Sequence, residues 1–331
     1  MSWYAAGGCW PDPAAPGSSC GQVLKACDVY PVFVVPERVR AWAQDHLDRE
    51  IHSIEPVGGG LTDTISAVRF RSGDPVILRY VSATRWGEIG RRHVISEARG
   101  CQLMAGSRLP VPRLIASDPV GDQTGDYANL TTWLPGEVRL GPLSLRAIDA
   151  LAAAAVVIHA TPVANAAQPL PYAFWAPAEL VVPPWSRRPA LWQRAIDLFH
   201  TGPPSTRPGV VHRDFHPGNV LWQGDAISGI IDWAETSWGP ADLDVAHSIT
   251  NFMVLHDLER AATFGRAYER HGGRLEADHE AAQFWQVSDI LGFLPDPGPQ
   301  LAALISTRPE LTVELVRRRL EQLLLLTLRG D

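Results

Sequence analysis

Hydrophobic and polar positions change their rhythm twice along this chain. After residue 35, "PERVRAWAQDHL" has helical spacing, with Pro36 where a first turn tolerates it. "HSIEPV", "TISAVRF" and "PVILRY" follow as three short strands rich in β-branched residues, the last two separated by the tight turn "RSGD". A helix is predicted from about Glu88 to Ala105, then two more strands in "RLIASD" and "DYANLTTW". Together these make a five-stranded antiparallel sheet with one inserted helix. "LPGE", residues 134–137, interrupts the pattern.

Beyond that break the period is helical. "LSLRAIDALAAAAVVIHA" is a long alanine-rich helix, and residues 161–189 are proline-rich and irregular. "HRDFHPGN", residues 212–219, precedes two short apolar strands, "NVLWQ" and "SGIIDW", joined at "GDAI". From Asp242 the chain is helical in several segments, and "LEQLLLLTL" forms the buried face of the last one. The expectation is an α+β, bilobal architecture. Residues 1–30 form a flexible Pro/Gly/Ala-rich tail, 31–134 a small β-rich lobe and 135–331 a larger helical lobe. A cleft between lobes is the default place for a ligand.

Composition excludes several classes. Of 331 residues 46% are hydrophobic and 20% charged, an ordinary soluble balance. No apolar run approaches the roughly 20 residues of a membrane helix, and the N-terminus lacks a signal-peptide core. The net charge of -7 makes nucleic acid a poor partner. Residues 135–331 hold 16 basic and 22 acidic side chains, a surface that suits a cationic ligand or is simply solvated helix. Cys9, Cys20, Cys27 and Cys101 form no C-x-x-C pair, so free thiols in a cytoplasmic protein are expected.

The candidate chemistry lies in "HRDFHPGN". His212 and His216 have the i, i+4 spacing of a helical zinc site, but Pro217 and Gly218 follow directly and the residue before a proline leaves the α region. This stretch is a loop. Asn219 follows Asp214 by five positions, and Asp232 lies thirteen further on at the end of an apolar strand. Asp214 can accept a hydroxyl proton; Asn219 and Asp232 offer hard oxygen ligands that suit Mg²⁺.

"VVHRDFHPGNVLW" followed by "GIIDWAETSWGPADLDVAH" resembles the aminoglycoside phosphotransferase family, which has the protein-kinase-like fold. The H-x-D-x-x-x-x-N pattern falls on His212, Asp214 and Asn219, and "IDW" takes the place of the kinase D-F-G. The resemblance implies transfer of the γ-phosphate of ATP or GTP to a hydroxyl of a small acceptor, with Mg²⁺. In that scheme Asp214 is the catalytic base and Asn219 and Asp232 bind metal. Gly58, Gly59 and Gly60 in "VGGGLTD" become a phosphate lid. Arg79 in "VILRY" stands where kinases place a lysine, since the only lysine here is Lys25. Glu97 is its implied partner. Thr132, Trp133 and Leu134 become the hinge that meets the base. His212 is expected to brace the loop, His216 to shape its turn and Asp244 to anchor it.

Two departures matter. The family often has H-G-D, whereas this chain has Arg213; and Trp233 and Ala234 follow the metal aspartate, so no protein-kinase-style flip is implied. Trp222 and Trp233 are expected in the core, and Trp238 there or in the acceptor pocket. A protein kinase is disfavoured, because no A-P-E segment follows Asp232 and "GPADLDVAH" comes too soon. The acceptor, an aminoglycoside-type antibiotic or a metabolite such as choline, a sugar or an amino alcohol, stays open. So does the alternative of a non-catalytic nucleotide-binding module, and the oligomeric state is unassigned.

Overall fold

The computed structural model describes residues 35–57, 64–275, 278–308 and 310–329. The expected tail, with Lys25, Cys9, Cys20 and Cys27, and the glycines Gly58, Gly59 and Gly60 lie outside the described residues.

The small lobe begins with α1 (Glu37–Asp45), whose Val39, Trp42 and Ala43 are buried. Strands β1 (Ser53–Pro56), β2 (Thr64–Arg69) and β3 (Val76–Val81) pair in sequence. Helix α2 (Ala83–Met104) intervenes before β4 (Leu114–Asp118) and β5 (Tyr127–Thr132). The sheet order is β1-β2-β3-β5-β4, every pair antiparallel. Leu78, Val68, Ala128 and Leu130 meet Val39 and Trp42 in one apolar cluster. That burial is what fastens α1 to the sheet.

The sequence predicted α2 to start near Glu88. The element begins at Ala83 with Ser82 as its cap, but Gly87 breaks it with φ 47°. The regular part therefore starts where the apolar periodicity does, and the glycine supplies a turn that other residues rarely adopt.

The larger lobe opens with β6 (Glu137–Val138) and α3 (Leu145–His159). Alanines on α3 let it pack closely, and Ala147, Ile148, Leu151 and Ala155 are fully buried. A helix absent from the sequence expectation, α4 (Pro189–His200), follows the irregular stretch. Its signals were present: proline at the first turn and buried Trp192, Ala195 and Ile196 at helical spacing. Then come β7 (Gly209–Val211), β8 (Val220–Gln223), β9 (Ala226–Ile230) and β10 (Ser237–Gly239). They form two small sheets, β10-β7 and β6-β8-β9. Helices α5 (Asp242–Leu255), α6 (Leu258–Arg270), α7 (His279–Leu291), α8 (Pro297–Thr307) and α9 (Val313–Arg329) complete the lobe. The β8–β9 turn is tighter than "GDAI" suggested, because Ala226 and Ile227 already belong to β9. Trp222 and Trp233 are buried as expected, whereas Trp238 is half-buried against the core. No described helix is long and apolar enough to cross a membrane.

Candidate active site

The "HRDFHPGN" loop runs from the end of β7 into a short 3₁₀ turn, Pro217–Asn219. One face of α5 holds it residue by residue. Asp244 accepts the backbone N–H of His212 at 2.8 Å and of Arg213 at 2.6 Å. His247, one turn on, points Nε2 at Asp214 Oδ1 at 3.1 Å. Ser248 donates to the carbonyl of Phe215 at 2.6 Å. Positions i, i+3 and i+4 of a helix share a face, so one stripe of α5 meets four consecutive loop residues. His159 at the end of α3 completes the anchor, with Nε2 2.9 Å from Asp244 Oδ2. Asp244 thus stands where the anchor was expected.

His212 braces the loop from its other side, donating from Nε2 to the carbonyl of Ile231 at 3.0 Å. Burial keeps its pKa below the ordinary value although Asp244, Asp214 and Asp232 all favour the charged ring. His216 shapes the turn, its Nδ1 accepting the Gly218 N–H at 3.1 Å.

Asp214 and Asn219 are in direct contact. Asn219 Nδ2 donates to Asp214 Oδ2 and to the Asp214 carbonyl, both at 2.8 Å. Both partners are acceptors, so the amide orientation is set by the network. The amide oxygen of Asn219 is then directed away from Asp214 and suits a hard cation. Ile231 N–H donates to the Asn219 carbonyl at 2.9 Å, which brings Asp232 alongside. Burial pushes the Asp214 carboxyl up in pKa; His216 and His247 outweigh it and hold the group down, at about 2.

Asp232 was expected to end a strand. The strand stops at Ile230, and Asp232 has φ 61° in the left-handed region. Arg213 shares that feature with φ 73°. Among described residues these are the non-glycine positions with positive φ, and both flank the same site. Such backbone is held only where surrounding bonds over-determine it, and it concentrates at functional sites. Asp244 supplies that constraint at Arg213. The guanidinium of Arg213 lies 3.6 Å over the Trp175 ring and donates to the Ala173 carbonyl at 3.1 Å, tying the irregular segment to the loop.

Arg79 joins the two lobes. Its Nε donates to Glu97 Oε1 at 2.9 Å and its Nη2 to Asp232 Oδ1 at 2.8 Å, with all three side chains buried. Asn129 on β5 donates to the other Glu97 oxygen at 2.8 Å. Close approach of α2 makes this possible. Gly100 faces Trp233 and Thr236, where any side chain would collide with the Thr236 hydroxyl.

Thr132, Trp133 and Leu134 lie at the end of β5, partly buried, between the lobes. The Thr132 N–H is already given to the Arg113 carbonyl at 2.9 Å, so it does not serve as a donor to a base.

The structure therefore brings together Asp214, Asn219, Asp232, Arg79 and Glu97. The sequence missed His247, Asp289, His159, Asn129 and Trp175. His247 had a signal, since it lies one turn from Asp244 on the same helical face.

A five-stranded antiparallel small lobe joined by a buried ion pair to a helical lobe with this loop defines a protein-kinase-like fold. The chain belongs to the phosphotransferase enzyme family, whose model matches residues 53–285. Solved structures agree on the fold. A protein of Ralstonia eutropha JMP134 assigned as an aminoglycoside phosphotransferase is 15% identical, with TM-score 0.59 over 89% of this chain and 97% of that one. A spectinomycin phosphotransferase bound to ADP and spectinomycin is 14% identical, with TM-score 0.57 over 89% and 98%. A macrolide 2'-phosphotransferase of Brachybacterium faecium is 18% identical, with TM-score 0.55 over 85% and 97%. No curated protein matches the chain.

Proposed function

We propose that this protein is a small-molecule kinase that transfers the γ-phosphate of ATP or GTP to a hydroxyl of a small acceptor. The observation that carries this reading is the direct Asp214–Asn219 contact with Asp232 alongside and Arg79 bridging Asp232 to Glu97. Asp214 orients the acceptor hydroxyl and receives its proton. A group held at a pKa of about 2 is a weak base, so orientation is its larger contribution. That suits phosphoryl transfer, where positioning and charge neutralisation dominate.

Asn219 and Asp232 would hold Mg²⁺, which would neutralise phosphate charge when bound. Arg79, oriented by Glu97, would neutralise the α- and β-phosphates when a nucleotide is bound; its planar fork suits two carboxylates or a phosphate equally. Trp133 and Leu134 meet the base edge, with Thr132 contributing as the end of the strand. Gly58, Gly59 and Gly60 cover the phosphates in this scheme on the strength of their sequence alone.

The acceptor side is formed by the helical lobe near Trp175 and Trp238. The family's neighbours act on spectinomycin and macrolides, and an antibiotic is one acceptor class; a choline-like or sugar metabolite is the other. A γ-phosphate transfer assay with Mg²⁺, both nucleotides and a panel of aminoglycosides, macrolides, amino alcohols and sugars separates them. Acceptor-stimulated turnover is expected for one class. No stimulation by any acceptor overturns the proposal in favour of a nucleotide-binding module without catalysis.

A further inference from the structure

His247 sits between two carboxylates. Its Nε2 is 3.1 Å from Asp214 Oδ1 and its Nδ1 is 3.0 Å from Asp289 Oδ1. His247 and Asp214 are fully buried and Asp289 is 5% exposed. Ionised carboxylates accept hydrogen bonds and do not donate them. A ring between two of them satisfies both when each nitrogen carries a proton, so the geometry makes His247 an imidazolium. Burial opposes that charge, but Asp289 and then Asp214 outweigh it and raise the ring's pKa to about 9. Also beside the ring are His216, with centroids 5.5 Å apart, and Trp175 at 4.9 Å, whose own ring carries the Arg213 guanidinium. Asn251 approaches Nε2 at 3.0 Å, yet its amide also reaches the His247 carbonyl at 3.0 Å and donates there.

Asp214, His216 and His247 also place ligand atoms within 4.8 Å of one another, as a metal centre would. The tautomer of His216 argues against a metal. Its Nδ1 accepts the Gly218 N–H, so its proton is on Nε2, the nitrogen 3.6 Å from Asp214 Oδ1. A protonated nitrogen is not a ligand. Of the two rings, His247 is the one within hydrogen-bond distance of Asp214 Oδ1, at 3.1 Å, while His216 Nε2 stands 3.6 Å from the same oxygen.

We propose that His247, held by Asp289, is a positioning residue for phosphoryl transfer: it fixes Asp214 through Oδ1 while Asn219 fixes it through Oδ2. The two clamps set the plane of the carboxylate toward the acceptor hydroxyl. Asp289 on α7 acts through His247 by holding its ring. This rests on the assignment of Asp214 as the group that meets the acceptor.

The test uses His247→Gln, Asp289→Asn and the double variant of the full chain. With acceptor and Mg-nucleotide, kcat falls about tenfold or more in His247→Gln and by a smaller factor in Asp289→Asn. The double variant is no slower than His247→Gln, because coupled residues are not additive. Nucleotide KM stays within roughly twofold, since neither residue faces the nucleotide. Unchanged kcat, fully additive losses, or nucleotide affinity falling in step with kcat would overturn the proposal. ¹⁵N NMR of the wild-type ring gives a second measurement that needs no turnover. It shows two protonated nitrogens at pH 7.5, and a ring without a proton on Nε2 overturns the proposal. Should His247→Gln not fold, Asp289→Asn and the NMR reading decide it. A wild-type protein that phosphorylates no acceptor sinks the kinase reading itself. An active wild type with unimpaired variants sinks the positioning role alone.

Discussion

Arg79 reaches Asp232 at 2.8 Å across 153 positions of chain, and the same guanidinium holds Glu97 at 2.9 Å. Removing it takes away the cation that the buried carboxylates of Glu97 and Asp232 share. Arg79→Ala is therefore expected to cost about 3–5 kcal/mol in denaturant unfolding and to weaken nucleotide binding. Arg79→Lys recovers little, because an ammonium cannot fork to both partners. Wild-type stability in Arg79→Ala would contradict this account of the lobe junction.

Asp214→Asn keeps the shape of the side chain but replaces an ionised acceptor with a neutral amide, which weakens its hold on the acceptor hydroxyl and removes its ability to take the proton. Turnover is expected to fall by about 10²- to 10⁴-fold, with nucleotide Kd unchanged by equilibrium titration. A variant that keeps its kcat would move the chemistry away from this loop.

Arg213→Gly sets two effects against each other. Glycine relieves left-handed strain of about 1–2 kcal/mol, and the lost stacking on Trp175 costs about 0.5–2 kcal/mol. Global stability should change little. Hydrogen exchange at Ala173–Trp175 should rise instead, because the segment loses its tie to the loop. Unaltered exchange there would mean that Arg213 holds nothing.

His256 is buried, and both burial and the nearby Arg308 and Arg260 lower its pKa, to about 4 from 6.5. The unfolded chain takes up a proton there before the native one does. Stability therefore rises with pH across the window from about 4 to 6.5, by about 3 kcal/mol for a shift of that size. His256→Leu should flatten the acid limb of a stability–pH curve; an unchanged limb would assign it to other groups.

His247 has the opposite sign, with its folded pKa raised. Its contribution is fully present below pH 6.5 and is lost as pH rises through about 9. Unfolding measured between pH 7 and 10 should show this loss in the wild type and not in His247→Gln. Parallel curves for the two proteins would contradict it.

The small lobe was legible because its five strands and inserted helix follow local rules: period-two patterning, turn residues and a capped amphipathic helix. The residues of the loop were legible because Asp214 and Asn219 sit in one short motif. What escaped notice depends on contacts between distant positions. Asp289 meets His247 across 42 residues, and His159 meets Asp244 across 85. Nothing local marks Asp289 or His159 as the partner of His247 or Asp244. The left-handed turn at Asp232 was hidden for another reason: an apolar run such as "SGII" shows a strand but not the residue at which the backbone leaves it. The missing strand lysine was readable as a substitution by Arg79, but its second partner, Asp232, required the fold.

The grip of α5 on residues 212–215 has an evolutionary consequence. Each of those residues is fastened to the same rigid rod, so the reacting loop moves with the lobe's core or not at all. The proline-rich stretch that carries Ala173 and Trp175 is joined to β10 by backbone hydrogen bonds between Leu170, Tyr172 and Trp238, and it rests Tyr172 and Phe174 on Trp285. It can be lengthened or shortened without repacking that core only away from those contacts. Diversification of acceptors in a lineage with this architecture would accumulate there, while the helix stripe stays constant.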